Sequence, residues 1–286
     1  MARSIGILTF LFLMALGSVA RAGSPEAEDS VLNDPGRRFA VRLHAELGFL
    51  SVLEHRLKLG TEGTYVDLRK DVGQDTLFAF GRLSADVDIG WNRRHTVVLL
   101  YQPLQLETQA VTERDLRVED AVYRAGTPID FRYSFPFWRI SYLYDILPGD
   151  AEVAFGGSLQ IRNANLEYAS QDGVQLRAVR DVGPVPVIKF RGRGFVAGRF
   201  WMGGEIDGFY APIRYINGGR SDVEGAIVDA SLRGGLALSY GVDTFLNLRY
   251  IAGGARGTSS DPDPFSDGFN ANWLHFLTLS LGVSLR

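Results

Sequence analysis

Asp86 and Asp88, two positions apart in TLFAFGRLSADVDIGW (Thr76–Trp91), are the clearest pair of side chains that could do hydrolytic chemistry. Four histidines, His44, His55, His95 and His275, are candidate bases for a serine or threonine hydroxyl. Such a pair needs the base within hydrogen-bond reach of the nucleophile and a third group to orient it. The chain has no cysteine, which removes disulfides, thiolate metal sites and a cysteine nucleophile. No metal-ligand spacing, phosphate loop or nucleotide fingerprint stands out. Arg191-Gly192-Arg193-Gly194 lies inside a strand pattern and cannot open a helix. No cofactor and no metal are expected.

What these residues can do depends on the elements that hold them. Read with period two, Leu77, Ala79, Gly81, Leu83, Ala85, Val87, Ile89 and Trp91 make one apolar face, while Arg82, Ser84, Asp86 and Asp88 lie on the other. That is a strand. It exceeds the ~5–6 residues usual in soluble domains and suits the ~9–11 of a tilted strand crossing a bilayer. Similar alternation recurs at Phe39–Leu59, Thr127–Leu147, Val153–Ile161, Val185–Val196, Phe200–Tyr210, Ala226–Leu238, Asp243–Ile251 and Trp273–Leu285. His95–Glu107 is a further strand whose faces are ambiguous, because Val97 to Tyr101 is apolar on both sides. Bulges are expected at Leu50–Val52 and at Pro136-Phe137, where the face switches. Connections near 92–94, 148–150, 197–199 and 240–242 are tight; those near 60–75, 108–126, 163–184, 211–222 and 252–270 are long. Short and long alternate throughout, as periplasmic turns and extracellular loops do. The expected fold is all-β: a transmembrane up-and-down antiparallel β-barrel of about ten strands, with eight and twelve as the neighbouring even counts.

Composition agrees. Mean hydropathy is +0.00, and no apolar run after residue 20 approaches the ~18 residues of a spanning helix. The abundance of glycine, phenylalanine and tyrosine suits many turns and aromatic belts. A formal charge of −3 without a basic cluster gives no case for nucleic acid. Arg3, the apolar core Ile5–Leu16 and Ala20-Arg21-Ala22 read as a secretory signal over residues 1–22, cut before Gly23. Residues 23–38 read as a flexible periplasmic lead-in and 39–286 as the barrel, with both termini in the periplasm.

The segments AFGRLSADVDIGWNRRHTVVLLY, IDFRYSFPFWRISYLYDIL, EIDGFYAP and WLHFLTLSLGVSLR resemble those of small outer-membrane β-barrel proteins of Gram-negative bacteria, in particular poorly characterised single-chain barrels of this size. The resemblance covers residues from about 39 onward and specifies architecture rather than activity. It implies a porin-like location in the bacterial outer membrane, contact with outer-membrane lipid, handling by the barrel-insertion machinery, and a monomer. Such barrels often finish on an aromatic residue; this chain ends Ser284-Leu285-Arg286. Asp86-Val87-Asp88 also resembles the paired aspartates of omptin proteases. Here, however, the pair precedes the short turn at 92–94, and the family's Asp-x-His partner is missing.

The inward charges are the most informative polar set: Arg82, Asp86, Asp88, Asp130, Arg132, Arg139, Arg191, Arg193, Glu205, Asp207, Asp229, Arg233 and Arg249. A hairpin centred near Gly198–Arg199 sets Arg193 opposite Glu205 and Arg191 opposite Asp207. Arg233 and Arg249 then face each other and draw carboxylates from Asp229 or Glu205. The expected function is structural, or a narrow polar passage or small-ligand site within a charge-filled lumen. The alternatives are a barrel enzyme acting on lipid A, phospholipid or peptide, and a soluble secreted lipid-binding barrel. For an enzyme, His44 points inward beside the closing strand, where Thr278 or Ser280 approaches; His275 and Ser280 differ in parity. Trp91, Trp138, Tyr142, Tyr144 and Trp201 are expected at the inner ends of strands, and Tyr210, Tyr215 and Trp273 at the outer ends.

Overall fold

A computed structural model describes residue 32 and residues 38–212, 222–238, 241–258 and 267–286. The expected signal segment, nearly all of the lead-in, Tyr215 and most of the connection at 211–222 lie outside these residues.

Ten long strands close on themselves. In order around the barrel they are β1 (Phe39–Leu59), β3 (Leu77–Ile89), β4 (His95–Gln102), β9 (Phe137–Asp145), β10 (Glu152–Ser170), β11 (Leu176–Ala197), β12 (Phe200–Pro212), β13 (Glu224–Ala237), β14 (Val242–Thr258) and β15 (Phe269–Leu285). β15 returns to β1 in antiparallel register from Leu43↔Leu285 to Leu59↔Asn270. Closure leaves no free edge through the shared height of the wall. The tight turns sit at one end; β11 and β12 join through Gly198, whose φ of +52° a side chain rarely tolerates. The shorter elements gather at the other end. They are β2 (Val66–Asp67), helix α1 (Leu68–Asp71), β5 (Gln105–Val111), the hairpin β6 (Leu116–Val118) with β7 (Ala121–Tyr123), and β8 (Pro128–Ser134).

Along the same strands the two faces exchange polarity. In the half nearer the tight turns, apolar side chains stand outward: Leu47 is 74% exposed, Leu83 54%, Leu232 49% and Leu279 58%. Behind them, Glu46, Arg82, Asp229 and Thr278 are buried in the lumen. On β1 the exchange falls at a bulge between Val52 and Glu54. Beyond it Glu54, Arg56 and Lys58 take the outward positions while His55, Leu57 and Leu59 turn in and are buried. β10 does the same, with Phe155, Leu159 and Ile161 exposed below and Leu166 and Tyr168 buried above.

The loop end is consequently packed like a soluble protein. Leu50, Val52, Leu57, Phe80, Leu106, Ile129, Phe131, Tyr168, Ile251 and Phe276 form one apolar core inside the wall. Leu68 and Val72 from α1 and its flank, with Leu116, Val118 and Tyr123 from the β6–β7 hairpin, cap it. The Tyr123 hydroxyl donates to the Tyr168 carbonyl at 2.9 Å, and Arg114 donates to Asp71 at 2.7 Å across the two cap segments. Burial works to raise the Asp71 carboxyl, but the Asp67 amide and Arg114 outweigh it and hold it below the ordinary carboxylate range. His55, against Gln74 at 3.1 Å, is a polar inclusion in this plug.

Several expected boundaries shift. The long connection at 163–184 is mostly strand: β10 runs to Ser170 and β11 begins at Leu176. Asn163, Asn165 and Glu167 there belong to the outward face of the wall above the apolar belt. The region 108–126 holds the end of β5 and the β6–β7 hairpin, and 60–75 holds β2 and α1. At Phe135-Pro136 there is a break between β8 and β9 rather than a bulge, matched on the facing chain by Pro103-Leu104. The backbone N–H that proline lacks explains both interruptions. Trp201 is buried inside the barrel, and Trp138, though exposed and stacked on Tyr101 at 4.3 Å, sits at the loop-end start of β9.

Candidate functional site

Two structures in the lumen decide what this barrel can do: a charged layer that fills the bore, and a vestibule beneath it.

The charges of the layer come from inward positions on seven strands, and neutral partners from the other three. Glu205 of β12 receives Arg249 at 2.6 Å, Lys189 at 2.7 Å and Arg233 at 3.0 Å, with Arg82 at 3.5 Å. Asp229 of β13 receives Arg249, Arg139 at 3.1 Å and Arg82 at 3.4 Å. Asp207 bridges Arg139 at 3.0 Å and Lys189 at 2.9 Å. Glu46 accepts from Arg233 at 3.2 Å, Asn247 at 2.6 Å and Ser280 at 2.9 Å. Gln102 and Gln160 accept from Arg82 and Arg139 at 2.8 and 2.6 Å. Asp207, Asp229 and Arg249 are 0% exposed, so the layer blocks the bore. Charges taken out of water at such cost require this dense mutual pairing.

Below lies a second tier. Arg191 joins Asp86 at 2.6 Å and Glu152 at 2.5 Å, and Arg42 joins Asp88 at 3.1 Å. Nearer the turns, Asp243 takes Arg193 at 2.5 Å and Arg286 at 3.1 Å. Arg193 lies 4.1 Å over the Trp201 ring, and Trp201 packs with Phe245. Both rings rest on glycines: a Cβ at Gly235 would meet Trp201 at 2.4 Å, and one at Gly282 would meet Phe245 at 2.2 Å. The vestibule opens here, a cavity of about 780 Å³ among Trp91, Arg93, Asp145, Asp150, Arg199 and Arg286. Among the described residues no cluster of side chains is arranged to hold a metal ion.

The structure brings eleven of the thirteen expected lumen charges together and displaces two. Asp130 and Arg132 point outward above the belt, where Arg132 pairs with Glu107 and Glu167 in solvent and Asp130 accepts from Gln171. The chain break at Pro136 puts Phe131 and Tyr133 inside and sends their neighbours out. Registers also differ from expectation. Arg191 faces Glu205 and Lys189 faces Asp207, two residues from the expected pairing: the tight turn between Ala197 and Phe200 accounts for one and the bulge between Phe195 and Ala197 for the other. Arg233 faces Asn247, and Arg249 faces Ser231. The carboxylates expected for them, Asp229 and Glu205, are the ones they find. Asp243 and Ser284 could not be singled out from alternation alone, since their importance comes from strands that closure brings beside them.

No known family profile matches the sequence, and no curated protein does. Among solved structures the chain is similar to the outer membrane protease OmpT of Escherichia coli, at 10% identity and a TM-score of 0.47, over 91% of this chain and 99% of that one. It is similar to Ail, the attachment invasion locus protein of Yersinia pestis, at 9% identity and a TM-score of 0.36, over 86% and 99%. OprG of Pseudomonas aeruginosa follows at 10% identity and a TM-score of 0.26, over 89% and 100%. The assignment rests on the closed strand order, the outward apolar belt and the charged bore: in architecture the chain is an outer-membrane β-barrel of ten strands.

Proposed function

We propose that this protein sits in the bacterial outer membrane with its tight turns and both termini in the periplasm, and that it is a sealed barrel. Its vestibule would take up a small polar ligand from the periplasmic side. One observation carries the reading: the bore is blocked twice, by the buried layer around Arg249, Asp229 and Glu205 and by the apolar plug above it. A passage needs a continuous polar path, and an apolar plug of this kind offers none. The belt's exposed leucines support contact with lipid and argue against the soluble lipid-binding barrel, whose outer face would be polar throughout. Full closure through the belt leaves no strand edge there for a second copy, which supports a monomer. Handling by the insertion machinery is part of the same reading.

Planar-bilayer recording tests it. The purified barrel is expected to be silent at voltages where an open barrel of this size gives discrete steps; steady unitary currents would refute the sealed lumen.

A further inference from the structure

We propose that Ser284, His44 and Asp86 form a serine-hydrolase centre at the inner limit of the vestibule, acting on esters of small acyl groups. The proposal rests on the reading of a vestibule open to the periplasm. Barrel closure places Ser284 of β15 directly opposite His44 of β1. Their side chains meet: Ser284 Oγ lies 2.7 Å from His44 Nδ1. The other ring nitrogen, Nε2, is 3.7 Å from Asp86 Oδ2 on β3, and Arg191 holds that carboxylate at 2.6 Å. Nucleophile, base and orienting acid thus follow one another on three adjacent strands, whose ladder fixes their spacing. All three line a cavity of about 40 Å³, which shares Arg42, Glu152 and Arg193 with the vestibule. Arg42, Arg191 and Arg193 line it too, charges of the sign that a developing oxyanion needs.

The chemistry balances with water as the only co-reactant. Ser284 Oγ attacks the ester carbonyl carbon as its proton passes to His44 Nδ1. The carbonyl–alkoxide bond breaks, and the departing oxygen takes that proton. Water then gives a proton to His44, adds to the acyl carbon and releases the acid, and the proton returns to Ser284. Asp86 is a positioning residue, holding the ring so that Nδ1 faces the hydroxyl. The small cavity restricts the acyl part to roughly acetyl size, and the alcohol part lies in the vestibule.

The test uses the folded full-length mature barrel in detergent with p-nitrophenyl acetate, reading p-nitrophenolate release and the mass of acid-quenched protein. The expected result is turnover above the detergent blank, with one acetyl group located on Ser284. Ser284→Ala abolishes both, Ser284→Cys retains the adduct, and His44→Gln slows acylation by about 10²–10⁴-fold. The rate follows a single deprotonation in the wild type, and Asp86→Asn moves that profile, an effect that packing alone would not have. Heat-modifiable gel migration verifies that each variant is folded. A folded wild type with no acetyl on Ser284 and no hydrolysis sensitive to Ser284→Ala overturns the proposal. Bilayer currents from a barrel that is nonetheless acylated would refute only the sealed lumen.

Discussion

Arg249→Ala is expected to lower the free energy of unfolding by about 3–5 kcal/mol, the cost of leaving buried carboxylates without their partner. Arg249 is 0% exposed and serves Asp229 and Glu205 together. Its loss leaves Asp229 to Arg82 and Arg139, and Glu205 to Lys189, Arg233 and a distant Arg82. Urea unfolding in lipid vesicles, followed by tryptophan fluorescence, measures this. Arg132→Ala supplies the contrast. Arg132 is also doubly paired, but its side chain is half exposed above the belt, so its removal is expected to change stability by no more than about 0.5 kcal/mol. Equal losses in the two variants would mean that the buried layer carries no special burden.

Phe131→Ala is expected to cost about 3–5 kcal/mol as well, for a different reason: transfer free energy and the cavity left behind. The ring is 1% exposed and packs against Tyr168 at 4.8 Å and His55 at 5.8 Å. The variant opens the plug and leaves the charged layer intact, so it is expected to lose stability without gaining conductance. Urea unfolding and bilayer recording on the same preparation check both parts. A stable Phe131→Ala, or one that conducts, would show that the plug is not the packed core described here.

The belt was legible in the sequence because alternation at fixed parity survives wherever one face meets hydrocarbon. Leu83, Leu232 and Leu279 stand where their parity put them. The upper wall was not legible, for the same reason. Once the strand leaves the belt its outward residues become polar, and Asn165 and Glu167 read as a loop although the ladder continues through them. Parity also failed at each interruption. One break at Pro136 carried Asp130 and Arg132 to the solvent face, and the turn at 198–199 together with one bulge at Phe195/Ala197 moved the Arg191 and Lys189 pairings by two residues. Charge identities in the lumen were recoverable because they depend only on facing inward. Partners were recoverable only between neighbouring strands, as for Arg249 with Asp229; those from strands far apart in sequence were not, as Arg82 with Asp229 shows.

The most direct test of the exchanged faces is a spin-label accessibility scan along β1, in a chain whose lack of cysteine makes every introduced label unique. Labels at Leu43, Leu47, Phe49 and Leu53 are expected to meet dissolved oxygen in lipid, and labels at Glu54, Arg56 and Lys58 to meet a water-soluble relaxant. Leu57 and Leu59 should be shielded from both. Lipid contact that continues at positions 55, 57 and 59, with no change of phase at the bulge, would contradict the account.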